Sequence, residues 1–128
     1  MSWQTILAIG CGGFLGAILR AYVNNIALNK LPSDFPYATL GVNLIGSFLM
    51  GLLIAYFMYT NFFSLHTKSF LTTGFLGALT TYSAFAIESL FLLQAGSIFL
   101  ALTNIVLNVF GTIFMAGSGF YIVKYFFK

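Results

Sequence analysis

The sequence predicts an all-α integral membrane protein: one domain of four transmembrane helices, residues 1–128, with the third helix broken near mid-membrane. Three observations predict it. Of the 128 residues, 60% are hydrophobic and only 5% are charged, and mean hydropathy is +1.00. A soluble domain carries about 25% charged residues, so this chain has too little polar surface to face water. The apolar residues fall into four continuous stretches rather than an alternating pattern, which favours helices over a barrel. The third stretch contains GFLGALTTYSAFAIE, Gly74–Glu88, whose glycines and hydroxyl run a plain lipid-facing helix does not need.

The first span is expected from about Trp3 to Leu28. MSWQT lacks a positive n-region and the apolar run is too long for a signal peptide, so the span is expected to be retained. Gly12 and Gly16 are four apart and share one face, which permits close helix approach. Cys11 reads as a small packing residue; one cysteine forms no intrachain disulfide and has no partners at metal-ligand spacing. Arg20 reads either as a snorkelling side chain or as a structural or anion-attracting charge facing a vestibule or a partner subunit. The loop NKLPSDFP, Asn29–Pro36, is punctuated by Pro32 and Pro36, and Ser33 or Asp34 is expected to cap the second helix.

The second span is expected from about Tyr37 to Thr60. Thr39, Asn43 and Ser47 are spaced by four and form one polar stripe. Such a stripe either joins two helices by hydrogen bonds or lines an aqueous path. The connection to the third span carries the single histidine, His66, expected to be solvated.

The third span is expected from about Lys68 to Gln94. Gly74 and Gly77 lower helix propensity by about 1 kcal/mol each, and Thr80, Thr81 and Ser83 compete for backbone hydrogen bonds. The expectation is a broken helix whose freed carbonyls face protein or a polar cavity. Tyr82, Phe85 and Glu88 step by three along one side. The aromatics read as core packing on spacing alone, whereas a carboxylate within a span is a functional candidate by default. The fourth span, about Gly96 to Lys124, repeats the polar device with Asn104, Asn108 and Thr112. Two such stripes exceed the needs of one helix contact and point to a shared polar track.

Four spans put both termini on one side with Lys68, Lys124 and Lys128, against Arg20 and Lys30 on the other. This bias is too weak to set orientation by the positive-inside rule. Broken-helix transporters pair two inverted halves, and this chain has one broken helix and no internal repeat. An antiparallel, dual-topology homodimer in membrane lipid is therefore expected. Its two Gly74–Ser83 breaks would meet on the two-fold axis, where converging carbonyls suit a small hard cation such as Na+. The five basic residues form no run, so nucleic acid is not an expected partner. No nucleotide-binding loop or catalytic constellation appears, so an enzyme is not expected.

Three motifs, GGFLGAILRAY (Gly12–Tyr22), ATLGVNLIGSFLMG (Ala38–Gly51) and GFLGALTTYSAFAIE (Gly74–Glu88), resemble the Fluc (CrcB) fluoride channel family. The resemblance implies a dual-topology homodimer in the cell membrane, with two pores that passively export cytoplasmic fluoride and reduce its toxicity. It implies a structural Na+ at the dimer interface on the backbone carbonyls of Gly77 and Thr80. It places Asn43, Tyr82 and Phe85 on the fluoride path, and Arg20 and Glu88 as vestibule or structural charges; Thr39, Ser83, Asn108 and Thr112 are expected on the same path from the polar pattern. The chain departs from the family pattern at Tyr82, where Phe is usual, at Ala84, where a hydroxyl is usual, and at Asn104 and Asn108, where Tyr and Ser are expected.

The chemistry this predicts is a series of weak donors. An aromatic ring presents a positive edge to an anion. The Asn43 amide and the hydroxyls of Thr39, Ser47 and Thr112 supply N–H and O–H donors, and several weak sites in series let an ion move on. The alternative reading is a small dual-topology proton-coupled multidrug exporter. That activity needs a membrane carboxylate in the cavity, and here the first span has Arg20 and no acid. A non-transporting membrane assembly subunit would explain the glycines but not the broken helix with aligned aromatics.

Overall fold

The computed structural model describes residues 1–31 and 33–128; Pro32, one of the two prolines read as loop punctuation, lies outside the described residues. Four helices are long and apolar enough to cross a membrane: Trp3–Lys30, Tyr37–Tyr59, Leu65–Gln94 and Ile98–Phe126. Long apolar side chains such as Phe14, Ile113 and Phe114 point outward, an arrangement that suits lipid and not water. The chain is a multi-pass membrane protein.

Helix ends follow local chemistry. The Ser2 hydroxyl accepts from the Thr5 N–H at 3.2 Å, and the Ser64 hydroxyl accepts from the Thr67 N–H at 3.2 Å, so each serine satisfies one otherwise unpaired N–H of a first turn. The third helix therefore starts three residues before the expected Lys68. This places His66 on the helix, where its Nδ1 lies 3.1 Å from Thr5 Oγ1, instead of in a solvated connection. Neither Ser33 nor Asp34 caps the second helix, which begins after Pro36 without a side-chain cap. Ser33 instead accepts from the Phe35 N–H at 3.1 Å. The third helix ends in a Schellman turn: Ser97 N–H bonds Leu92 C=O and Gly96 N–H bonds Leu93 C=O. Gly96 carries φ +78°, a conformation that side chains disfavour.

Packing pairs the first helix with the third and the second with the fourth. A Cβ on Gly12 would lie 2.9 Å from Phe75 N and 3.2 Å from Gly74 Cα, and one on Gly74 would lie 2.6 Å from Ile9 O. On the other pair, Gly51 lies against the Ala116 carbonyl and Gly119 against that of Phe48. Backbones touch at both crossings because no side chain keeps them apart. Val42, Leu76 and Leu79 form the buried core between the pairs, with Val23, Leu49, Met50, Leu53 and Phe75 around them. Cys11 is exposed and is not the packing residue expected of it.

The third and fourth helices are irregular. The third runs α over Leu65–Ser69, widens to a π-helix over Phe70–Leu76 and returns to α over Gly77–Leu79. Thr80 (φ −82°, ψ 155°) and Thr81 (φ −151°, ψ 119°) are extended, and helix resumes over Tyr82–Gln94. Gly77 itself is helical at φ −63°, ψ −34°. The glycines of this stretch give close approach and room, while the threonines carry the change of direction. The fourth helix has a π-segment at Leu107–Gly111.

Candidate functional site

The two extended threonines make the site. In a continuous helix the N–H of Thr81 would bond the Gly77 carbonyl, and that of Ala84 the Thr80 carbonyl. Instead Thr81 N–H bonds Asn43 Oδ1 at 2.8 Å, and Ala84 N–H bonds Thr81 Oγ1 at 3.2 Å. Thr81 is thus the cap of a new helix, and the carbonyls of Gly77 and Thr80 are left without their helical donors. Gly46 makes room for this bend, because a Cβ there would collide with Thr80 Cγ2.

Asn43 stands opposite Thr81 as a one-residue strand partner. Its Oδ1 accepts from the Thr81 N–H, and its Nδ2 donates to the Thr81 carbonyl at 3.0 Å. The second hydrogen of Nδ2 goes to Asn108 Oδ1 at 2.9 Å. Both amide hydrogens are therefore bound to protein acceptors, in contrast to the free donor pair expected from the sequence. Asn108 Nδ2 donates at 2.9 Å to both the Asn104 carbonyl and Asn104 Oδ1. Asn104 Nδ2 donates to Ser89 Oγ at 2.9 Å, and Ser89 donates to the Phe85 carbonyl at 2.8 Å. Asn43, Asn104, Asn108 and Ser89 are all buried. Ser89 was not singled out from sequence, since nothing in the spacing shows that it meets Asn104 of another helix.

Two clefts meet at Thr81. One, of about 220 Å³, is lined by Arg20, Asn24, Thr39, Thr81, Ala84 and Glu88 among others. Thr39 Oγ1 donates to Glu88 Oε1 at 2.7 Å, while Glu88 Oε2 is buried without a hydrogen-bond partner among the described residues. The second cleft, of about 400 Å³, brings together Asn43, Ser47, Thr80, Tyr82, Phe85, Asn108 and Thr112. Tyr82 and Phe85 pack edge to face, with centroids 5.2 Å apart and an interplanar angle of 73°. Phe85 is buried, whereas Tyr82 is 77% exposed. Thr112 gives its hydroxyl proton to carbonyls of its own helix, Asn108 at 2.5 Å and Val109 at 3.2 Å.

The candidate residues thus divide. Arg20, Thr39 and Glu88 share the first cleft; Asn43, Tyr82, Phe85, Asn108 and Thr112 share the second. Ser83 is exposed beside them, its Oγ 3.4 Å from Thr81 Oγ1. Gly77 lines neither cleft, and Asn104 is fully enclosed behind Asn108. Among the described residues no three His, Cys, Asp or Glu side chains come together as a metal site. The Gly77 and Thr80 carbonyls, without their helical donors, are hard oxygen donors.

Residues 7–120 match the family described as CrcB-like protein, Camphor Resistance (CrcB). A protein of Sulfurimonas denitrificans called "Fluoride-specific ion channel FluC" is 71% identical over 97% of this chain and 96% of its own length. Proteins of the same name from Nautilia profundicola and Campylobacter lari are each 49% identical over 94% of this chain, covering 94% and 98% of their own lengths. With a match that runs through all four helices, the chain belongs to the CrcB-like protein family.

Proposed function

We propose that this protein is a fluoride-specific channel that lets cytoplasmic fluoride leave through the cell membrane down its electrochemical gradient and so limits fluoride toxicity. The observation that carries this reading is the 71% identity, along 97% of the chain, to a protein named for that activity. The site geometry supports it. Fluoride is small and strongly hydrated, and conduction requires that several weak contacts replace its shell in series. The second cleft offers the edges of Tyr82 and Phe85 beside a polar wall of Asn43, Ser47 and Thr112. The first offers Arg20 near the end of the same region, with Thr39 and Glu88. Hydrogen fluoride crosses membranes as the neutral acid and dissociates inside; the anion then leaves through the pore without an energy source other than its gradient.

The functional unit is an antiparallel, dual-topology homodimer. In one copy Tyr82, which lines the second cleft, and Ser83 beside it are exposed. Backbone that has left the helix is tolerated at membrane depth only against protein or water, so a second copy covers the Thr80–Thr81 interruption near the membrane centre. A structural Na+ on the dimer axis belongs to the same reading. The carbonyls of Gly77 and Thr80, whose helical donors are taken by Asn43 and Thr81, fit such a hard ion. When bound, Na+ supplies a fixed positive charge and ties the copies together.

The test is efflux from liposomes containing the purified protein. Fluoride should leave rapidly down its gradient and chloride hardly at all. Release of neither anion, or proton-coupled uptake of cationic dyes, would overturn the assignment.

A further inference from the structure

We propose that Asn104 and Asn108 are positioning residues, which hold the Asn43 amide and the extended Thr81 peptide in register through a one-way hydrogen-bond relay that ends on Phe85. The proposal rests on the channel reading above for its functional consequence, and on the observed hydrogen bonds for its geometry.

The direction of the relay is set by backbone. Thr81 N–H can only donate, so the Asn43 atom facing it is Oδ1, and Nδ2 must face the Thr81 carbonyl and Asn108. Asn108 then presents Oδ1 to Asn43, which turns its Nδ2 toward Asn104, where the backbone carbonyl accepts. Asn104 Oδ1 accepts as well, leaving its Nδ2 to Ser89, whose hydroxyl proton goes to the Phe85 carbonyl. Each amide orientation therefore follows from the one before it. Flipping any of them sets a donor against a donor, or an acceptor against an acceptor, in a buried setting where an unmade bond is costly.

The two ends of the relay lie four residues apart on the third helix, at Thr81 and Phe85. Between them sits Tyr82, the edge-to-face partner of Phe85. The second and fourth helices thus brace the segment that carries both aromatics. Asn104 is fully enclosed and Asn108 shows 6% of its surface. They act on an anion through Asn43 and Phe85, and an anion that takes a hydrogen from Asn43 must displace Asn108 Oδ1 or the Thr81 carbonyl.

The experiment follows the Asn43 side-chain amide by 1H–15N NMR with hydrogen exchange in the full-length protein, alongside fluoride and chloride efflux. In the wild type the Asn43 hydrogens should exchange at least about a hundredfold more slowly than those of exposed Asn24, the direction expected of buried, bonded donors. Equal exchange at the two sites overturns the relay, even if every variant fails to fold. Asn108→Leu removes one of the two acceptors and should abolish protection of the Asn43 hydrogen that faced Asn108, with fluoride efflux reduced about tenfold or more. Asn108→Asp keeps an acceptor toward Asn43 but faces the two Asn104 oxygens. It should retain protection at Asn43 and lose the order between Asn104 and Ser89. A folded Asn108→Leu with wild-type Asn43 protection and flux overturns the proposal. If the wild type releases no fluoride, the channel reading falls while the exchange measurement still decides the relay.

Discussion

Thr81 shows how much one residue can carry. Its backbone is extended, its N–H and C=O both pair with Asn43, and its hydroxyl caps the next helix. The TTYS run marked this place in the sequence, because hydroxyl side chains offer the backbone an alternative to helical bonds. What the run did not reveal was the partner, since Asn43 lies on another helix and spacing within one helix carries no pairing information. Phe85 is the residue at which packing and conduction can be separated. It is buried, lines the second cleft and holds Tyr82 edge to face. Phe85→Ile keeps most of the bulk, and volume-conserving apolar swaps usually cost less than about 1.5 kcal/mol; the positive ring edge is lost entirely. Fluoride efflux should fall about tenfold, equivalent to about 1.4 kcal/mol at the barrier, with little change in melting temperature. Full-rate efflux in the variant would mean that the ring only packs.

At the level of the helix, the glycines separate into those that touch backbone, those that face a side chain (Gly46 and Gly111) and those that touch nothing. Gly12 and Gly16 were legible as a close-packing face, but their partner was not. It is the third helix at Phe70, Gly74, Phe75 and Leu79, where part of the helix is π-wound. The π-segments, Phe70–Leu76 and Leu107–Gly111, left no trace in the sequence pattern, because Asn104, Asn108 and Thr112 keep a spacing of four through the second of them. The polar stripes of the second and fourth helices were legible as facing sets, yet one chain of bonds absorbs the amide hydrogens of Asn43, Asn104 and Asn108, and Thr39 and Thr112 give theirs to Glu88 and to carbonyls of the fourth helix. A paired substitution tests the packing. Gly16→Ala places a methyl against backbone at Phe75 and Leu79, neither of which is a flexible side-chain end. Overpacking of this kind costs about 1–3 kcal/mol, so thermal melting in detergent should occur at lower temperature. Gly10→Ala meets nothing within 4 Å and removes a glycine from a helix interior, which favours the helix by up to about 1 kcal/mol. It should melt at the wild-type temperature or above. Equal losses in both would show that the two faces are not distinguished as the structure indicates.

At the scale of the whole molecule, the four apolar helices were readable from composition and length, because the membrane imposes both. Assembly is a different matter, decided by charges few enough to count. The helix order puts Lys68, Lys124 and Lys128 toward one face, and Arg20 and Lys30 toward the other. Orientation follows the balance of Lys and Arg flanking the spans, and an antiparallel dimer needs both orientations from one sequence. The balance is therefore a functional property under the proposed assembly, and it can be tipped. Asn61→Lys with Phe62→Lys adds cations to the face that carries the termini, at exposed positions between the second and third helices. Asn29→Lys with Gln94→Lys adds them to the opposite face. Each biased chain should insert in one orientation, and expressed alone it should lose most fluoride efflux while still reaching the membrane. Expressed together, the two should form the mixed dimer and recover efflux. The readouts are fluoride release from cells or vesicles and labelling of an engineered surface cysteine from each side, in a Cys11→Ala background. Two singly expressed, uniformly oriented chains that each conduct like the wild type would rule out the antiparallel pair, because neither could then supply the inverted copy.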